Sequence, residues 1–524
     1  MSSISQVNAL PGSKPGIKSD ISQWIPVAAP ILGALLVVFL RVTMGQTSFL
    51  YDGTLIVLAV IAYSFAAVIG LIELYADQTV LGRWGLWLAS SGLFFNIASW
   101  GTRWVGAGDR EHWARWVFRY VPFANLYDLS LAFAMGAGLA TVIICRKKEQ
   151  RAIMGISMLL ASLILLLAIF IGRAFIDLPP VLDSYWRPIH VGIASLSYGV
   201  TLVCFSIAVL YLIKDGVKIE AMALFVAIFG VGVYSCIGRF GSFSLFSQFK
   251  YSMDVLAPTQ EGGLSPAPLR VDIPWVGPLM LLAALLLLAA ILCFGWDYYK
   301  NQTNLKRYGH MAFRSAAVLQ LLSIVALFYQ MATLTNLASR IDLRSQMKYL
   351  DAIQYFGSKQ ATFANVPQVM PVAQDWLAQA GPRLTLGTSS NPVEMGAILS
   401  LIVLSVLVIL FSFRTERVIA RLPSLQKLDG LVYKTAAISF TGLALLLMTG
   451  AVWANESWGR YWGWDSKETG AFVAWVAYAG FLHTRIAHGW SGRKSAYFAI
   501  AGFLLVIFTY LGVSYLLPGL HSYA

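Results

Sequence analysis

Residues 453–468 read Trp-Ala-Asn-Glu-Ser-Trp-Gly-Arg-Tyr-Trp-Gly-Trp-Asp-Ser-Lys-Glu, and they lie between two long apolar runs. Four tryptophans fall within twelve positions, and polar or charged side chains from Asn455 to Glu468 are interleaved with them. This mixture suits a flat apolar ligand with a charged rim, because indole faces cover a plane while polar groups pair with its edge. The alternative is an aromatic loop that anchors two helices at a membrane surface.

The composition around this stretch is typical of a membrane protein. Of the 524 residues, 58% are hydrophobic and 12% are charged, whereas soluble domains carry about 25% charged residues. The net charge of +13 comes from basic residues in short loops between apolar runs, so it indicates topology and predicts no nucleic-acid binding. The cysteines form no Cys-x-x-Cys pair and are predicted to be core residues, neither disulfide-bonded nor zinc ligands: Cys145, Cys204, Cys236 and Cys293.

Apolar runs long enough to cross a ~30 Å hydrocarbon core recur along the chain. They predict an all-α fold, a polytopic transmembrane helical bundle with about thirteen spans. The runs lie near residues 25–42, 54–75, 84–101, 123–144, 153–175, 191–213, 219–237, 273–296, 312–333, 393–413, 433–453, 469–487 and 496–516.

Basic residues cluster in alternate loops, which predicts the orientation of the bundle. The clusters lie at residues 146–151, 214–218, 300–307, 414–427 and 485–494. By the positive-inside rule these loops and the polar N-terminal tail, residues 1–24, face the cytoplasm. The tail lacks the apolar segment of a cleavable signal peptide and is expected to be flexible. The segments predicted to face outward are the tryptophan-rich stretch, residues 176–190, a small helical cap at residues 334–392, and the C-terminus.

One predicted outer loop, residues 102–121, is rich in arginine and so departs from this rule. Its arginines are Arg103, Arg110, Arg115 and Arg119. The favoured interpretation is a short interfacial amphipathic helix whose indoles face lipid; these are Trp104, Trp113 and Trp116. The other interpretation is a basic rim that attracts an anionic ligand or partner.

Two of the six histidines, His190 and His521, are predicted to lie on the same outer face as the tryptophan-rich stretch. Neutral imidazole is the commonest axial ligand of haem iron. Two imidazoles on opposite faces would hold the iron six-coordinate while indoles cover the porphyrin plane. The alternative for each is a solvated interfacial histidine without a ligand.

Residues 458–469 resemble the tryptophan-rich "WWD" signature of haem-handling membrane proteins, and within these they are most similar to the CcsA (ResC) family of cytochrome c biogenesis proteins. Further segments match the family: Ser184-Tyr185-Trp186 with His190, Gly519-Leu520-His521-Ser522-Tyr523, Leu422-Pro423-Ser424-Leu425, and Pro122-Phe123-Ala124-Asn125-Leu126-Tyr127 followed by Asp128 in place of a glutamate. The similarity covers roughly residues 84–215 and 393–524. Ser466 stands where the family often has proline, and Gly470 where tryptophan is common.

The resemblance implies a System II cytochrome c synthase, which attaches haem b covalently to the Cys-x-x-Cys-His segment of apocytochrome c at the outer face of a bacterial cytoplasmic membrane. His190 and His521 are then the axial ligands of the haem iron. The indoles expected to pack on the macrocycle are Trp458, Trp462 and Trp464. Asp465 is expected to orient the loop through backbone or Arg460 contacts, and Arg460 or Lys467 is expected to pair with the propionates.

The resemblance also implies partners and a second haem site. The partners are a CcsB (ResB)-like membrane subunit and thiol-reducing thioredoxin-like proteins. His483 matches a family histidine deep in the membrane, where it would bind haem in transit. It lies about 27 Å along a helix from Asp465, so it is not expected to bind the same iron. The alternative for His483 is a snorkelling side chain, and the remaining histidines are expected to be solvated or superficial: His112, His310 and His488.

The predicted organisation has five parts. These are the tail at 1–24, extra spans at 25–83, the first family-like region at 84–215, inserted spans and the outer segment at 216–392, and the second family-like region at 393–524 with a haem-binding loop at 453–469. Two other functions share these features: a haem exporter without ligase activity, and a structural subunit of a membrane respiratory complex.

Overall fold

The computed structural model describes residues 22–76, 79–175, 180–239, 249–259, 263–300, 303–360 and 366–513. These residues form eighteen α-helices and one two-stranded antiparallel sheet. The predicted all-α membrane bundle is therefore confirmed. The predicted flexible tail lies almost entirely outside the described residues.

The helices are α1 Ile25–Met44, α2 Asp52–Glu73, α3 Thr79–Arg110, α4 Leu126–Cys145, α5 Met154–Ile171, α6 Trp186–Lys214, α7 Ile219–Arg239, α8 Val276–Lys300, α9 Thr303–Thr333, α10 Leu337–Arg340, α11 Leu343–Gln346, α12 Leu350–Gln360, α13 Val366–Ala380, α14 Pro392–Ser412, α15 Thr415–Arg421, α16 Leu425–Trp458, α17 Ser466–His488 and α18 Arg493–Ile507. The strands are β1 Tyr251–Pro258 and β2 Leu264–Ile273.

Eleven of the described helices are long and apolar enough to cross a membrane. Each of the thirteen predicted spans coincides with a helix, and the two spans outside this set of eleven are α3 and α17. These two carry more polar residues, such as Asn96 and Arg103 in α3. Their lengths of 32 and 23 residues still exceed a ~30 Å hydrocarbon core at about 1.5 Å per residue. Which ends of the helices face the cytoplasm stays a prediction.

Two hydrophobic clusters organise the membrane part. The larger joins α2–α6 to α16–α18, and the smaller joins α7, α8, α9 and α14 against α5. Glycines allow close helix contacts within the larger cluster, since a Cβ on Gly70 would lie 2.5 Å from the backbone nitrogen of Gly155. Small residues at crossings are what membrane helices use to approach each other, because lipid provides no hydrophobic drive between them.

A third hydrophobic cluster forms a separate module from β1, β2 and helices α10–α13. The helical cap predicted at residues 334–392 therefore packs with a hairpin formed by residues 251–273. This hairpin was not predicted from the sequence. The hairpin is held to the cap by an isolated bridge between Leu256 and Thr385. Burial roughly alternates along β1, as expected for a strand with one face packed on the cluster. In the sequence, eight residues between long apolar runs show this alternation of hydrophobicity only weakly.

The cysteine prediction holds for two of the four residues. Cys145 and Cys204 are buried, and all four thiols are free. Cys236 is exposed on α7, so its assignment to the core is wrong. Cys236 lies on the face of α7 that points away from the smaller hydrophobic cluster. An apolar sequence alone does not reveal which face of the helix is packed.

Candidate functional site

The tryptophan-rich connection is shorter than predicted. Helix α16 continues to Trp458 and ends at Gly459, whose φ of 70° is the left-handed conformation that glycine adopts at helix C-termini. Only residues 459–465 lie between α16 and α17. Trp453 belongs to the helix and is 7% exposed, so the aromatic stretch is divided between a helix end and a tight loop.

Two carboxylates fix the shape of this loop. Asp465 caps α17 by accepting a hydrogen bond from the backbone nitrogen of Lys467 at 3.2 Å. Glu468 accepts from the backbone nitrogens of Gly463 at 2.8 Å and Asp465 at 3.2 Å. This reciprocal arrangement is a capping box. The Arg460 guanidinium lies against Gly463, where an added Cβ would approach it to 2.6 Å.

The loop closes one side of a cavity of about 1130 Å³, part of which is open to the surroundings. The cavity lies between the starts of α4, α6 and α17, the end of α16, and the π-helical turn Phe508–Gly512 that follows α18. Its aromatic and titratable lining residues are Phe123, His190, Tyr198, Trp453, Trp458, Tyr461, Trp462, Lys467, Glu468 and Tyr510. An apolar, aromatic lining with a few polar groups is typical of a ligand site.

His190 is held in a defined orientation at this cavity. Its Nδ1 lies 3.0 Å from the carbonyl oxygen of Leu446. Because a carbonyl oxygen only accepts, Nδ1 carries the proton, and the lone pair of the neutral ring is on Nε2. The ring also lies against Gly450, where an added Cβ would approach Cε1 to 2.7 Å. Its centroid is 5.6 Å from that of Trp453.

The predicted indoles occupy different positions. Trp458 and Trp462 line the cavity, whereas Trp464 lies outside the lining and is 67% exposed. Trp464 has a φ of 55°, which is uncommon for a residue with a side chain. The Nε1 of Trp462 is buried and has no hydrogen-bond partner among the described residues, so it is a donor without an acceptor at the cavity.

The other predicted site residues are placed as follows. Lys467 lines the cavity, and Arg460 is exposed on the loop. His521 lies outside the described residues. His483 is exposed near the far end of α17, with its ring centroid 5.5 Å from that of His488. His310 was expected to be solvated, but its Nε2 lies 3.0 Å from Glu220.

The arginine-rich loop contains no separate amphipathic helix, so that prediction is wrong. Helix α3 runs on to Arg110 and is followed by a short 3₁₀ turn, Val117–Tyr120. Arg103 is 2% exposed, forms an ion pair with Asp128 and donates to the carbonyl oxygen of Arg173 at 3.0 Å. Arg119 forms an ion pair with Asp183. Two of the four charges that depart from the positive-inside rule, Arg103 and Arg119, are therefore used in contacts within the protein.

Some residues at the cavity were assigned no role from the sequence, although Asn125 lies in one of the segments that match the family. Asn125 caps α4 by accepting from the backbone nitrogen of Asp128 at 2.9 Å, and this places the start of α4 at the cavity wall. Gly450 packs against the His190 ring, but the sequence does not single it out, because Gly430 in the same helix has no atom near its Cβ position. The glycine at position 470 is also explained, because a Cβ there would lie 2.9 Å from the hydroxyl of Thr509.

Comparison with known proteins gives consistent results. The sequence profile of the family described as "Cytochrome C assembly protein" matches residues 123–256 and 276–521, which is well over half of the chain. "Cytochrome c biogenesis protein CcsA" of Prochlorococcus marinus strain MIT 9515 is 53% identical over 98 residues, which cover 19% of this chain and 31% of that protein. The protein of the same name from strain MIT 9301 is 55% identical over 98 residues and is 32% covered. The chain thus aligns with about a third of the length of these relatives.

Proposed function

Because this chain belongs to the cytochrome c assembly protein family, we propose that it handles haem and attaches it covalently to apocytochrome c. The substrate haem is haem b, and the acceptor is a Cys-x-x-Cys-His segment. The cavity beside the tryptophan-rich loop is the proposed haem site.

The observation that carries this proposal is the geometry of His190. The Leu446 carbonyl fixes the ring with its lone pair on Nε2, and such a second contact is what orients histidine ligands in metal sites. The ring lies at a cavity that is also lined by Trp458 and Trp462. The unpartnered Nε1 of Trp462 provides a donor for a carboxylate or another acceptor on the ligand.

His521 is the proposed ligand on the other face of the iron. The described chain reaches Val513, just after Thr509 and Tyr510 at the cavity. His521 follows Val513 by eight residues, and eight extended residues span at most about 28 Å. The chain is therefore long enough for His521 to return to the cavity. We propose His483, exposed on α17, as a ligand at a separate site for haem in transit.

The proposed reaction adds a cysteine thiol across each haem vinyl group. The S–H bond and the vinyl π bond break, a C–S bond forms at one vinyl carbon, and the proton goes to the other, so no oxidant is needed. The contribution of the protein is to hold haem and peptide in reacting geometry. Trp458 and Trp462 would cover the macrocycle, and Arg460 or Lys467 would pair with the propionates. The incoming peptide histidine would replace one protein histidine and release the product.

The partners and the location remain part of the proposal. The chain is a multi-pass membrane protein. We place the site on the outer face of a bacterial cytoplasmic membrane, with a CcsB (ResB)-like subunit and thiol-reducing thioredoxin-like proteins as partners.

The test is expression with a Cys-x-x-Cys-His apocytochrome, followed by detection of covalent haem on a denaturing gel and the visible spectrum of the purified protein. His190→Ala and His521→Ala are expected to abolish the covalent product and remove the low-spin haem bands. His112→Ala is the control, because His112 is exposed in a turn away from the cavity. Bound haem without covalent product would indicate an exporter, and absence of haem from the wild type would indicate a structural subunit.

A further inference from the structure

The arginine-rich outer loop is connected to the start of α6 by three separate contacts. Arg119 forms an ion pair with Asp183. The rings of Trp116 and Tyr185 lie 4.1 Å apart. The Arg187 guanidinium donates to two backbone carbonyl oxygens of the loop. We call these three contacts the loop latch.

Arg187 is the buried member of the loop latch. It is 2% exposed. Its two terminal nitrogens donate to the carbonyl oxygens of Arg119 and, at 3.3 Å, Val121. A guanidinium presents several donors in a rigid fork, so it can hold two carbonyl groups at once, which a lysine ammonium on a flexible stem does less well. The two bonds therefore fix the path of the backbone over residues 119–121.

The residues on both sides of this contact are close in sequence to residues that line the cavity. Arg187 lies on α6 three residues before His190, so the two side chains are on neighbouring turns of one helix. On the loop side, Val121 is followed by the cavity-lining segment Phe123–Leu126. A shift between the loop and α6 would therefore change the distance between His190 and the opposite wall of the cavity.

We propose that Arg187 is a positioning residue for the haem site, which sets the place of His190 relative to the wall formed by Phe123–Leu126. This inference rests on the proposed function and adds to it a residue outside the cavity lining. It also gives the arginine-rich loop a structural role, because Arg187 holds the backbone of this loop and Arg103 within it is 2% exposed and donates to groups of the protein.

The test compares Arg187→Met, Arg187→Lys and Arg115→Met in the full-length, haem-loaded protein. Arg187→Met keeps much of the apolar stem and removes both donors, and Arg187→Lys restores one charged donor. Arg115 lies in the same loop and is exposed, so Arg115→Met is the matched control for loss of one arginine. The measurements are the visible spectrum, the rate of haem transfer to apomyoglobin and the melting temperature in detergent.

We expect Arg187→Met to convert part of the low-spin spectrum to high spin and to release haem up to about 10-fold faster. This is the low end of the effect of losing a contact to the metal ligand itself, because Arg187 acts by holding the loop backbone. Arg187→Lys should recover part of this loss, and Arg115→Met should match the wild type. If Arg187→Met does not fold, then Asp183→Asn, which weakens only the half-buried ion pair of the loop latch, must give the same spectral shift to a smaller extent. An unchanged spectrum and release rate in folded Arg187→Met, or in Asp183→Asn where Arg187→Met is unfolded, would overturn the proposal.

His190→Ala, measured in parallel, separates this inference from the proposed function. If His190→Ala loses the low-spin bands while folded Arg187→Met keeps them, the positioning role alone is wrong. If His190→Ala is indistinguishable from the wild type, the haem site itself is wrong.

Discussion

The glycine at position 450 offers a direct way to displace His190 without removing it. A Cβ at position 450 would lie 2.7 Å from Cε1 and 3.0 Å from Nδ1 of His190. Carbon atoms in favourable contact are about 3.5–4.0 Å apart, so in Gly450→Ala the ring must move by about 1 Å. The Nδ1 bond to the Leu446 carbonyl, now 3.0 Å, would then exceed normal hydrogen-bond length.

The displaced ring loses a hydrogen bond worth about 1 kcal/mol, and this bond is also the contact that sets its tautomer. Stability should change little, because alanine is favoured over glycine within a helix by about 1 kcal/mol. We therefore expect Gly450→Ala to keep its melting temperature and to bind haem at least about 10-fold more weakly, with altered low-spin bands.

The matched control is Gly430→Ala, in which the same methyl group is added to the same helix. A Cβ at position 430 meets no atom within 4 Å, so this variant should be slightly stabilised and bind haem normally. Haem titration followed in the visible spectrum compares the two variants. Equal affinities and identical spectra would refute the reasoning about His190, whereas a large drop in melting temperature for Gly450→Ala alone would show that the neighbouring ring cannot move.

Three further changes test how the site is supported. Asp465→Ala should lower the stability of the protein by about 1 kcal/mol, because the N-cap of α17 is lost, while Asp465→Asn should retain most of it in thermal unfolding. Gly470→Trp should destabilise the protein by about 1–3 kcal/mol, since even a Cβ would lie 2.9 Å from the Thr509 hydroxyl; a wild-type melting temperature would contradict the observed packing. Arg103→Met should cost about 3–5 kcal/mol because it removes the cation that pairs with the buried Asp128 and lies 3.5 Å from Asp52, and the double variant Arg103→Met with Asp128→Leu should recover only part of that loss because Asp52 still lacks this cation.

Local properties of the sequence determined the helices. A run of apolar residues long enough for the hydrocarbon core must form a helix, because in lipid the backbone has to satisfy its own hydrogen bonds. The thirteen predicted spans coincide with helices for this reason. The cap that Asp465 forms is also a local feature, since a cap acts on the residues that immediately follow it, although only an orienting role for Asp465 in the loop was predicted.

Helix ends were less accessible from the sequence. The prediction of an amphipathic helix at residues 102–121 relied on arginine and tryptophan being interfacial residues. In the structure α3 continues to Arg110, and the Arg103 charge is neutralised by Asp128, which is 25 positions away. An apolar run marks the hydrocarbon core, but a helix extends beyond it wherever distant residues pair with its polar groups.

Only the tertiary structure decided which residues meet at the cavity. His190 is oriented by a carbonyl 256 positions away. The indoles of Trp462 and Trp464 lie 5.6 Å apart between centroids, yet only that of Trp462 lines the cavity, and that of Trp464 is exposed. In the helix of a soluble protein, polar residues mark the exposed side and apolar residues mark the buried side. A membrane helix is apolar on all sides, because lipid and protein interior are similarly apolar. The sequence of such a helix therefore specifies that it forms, while the close contacts at glycines and the few buried polar pairs specify which of its faces meet.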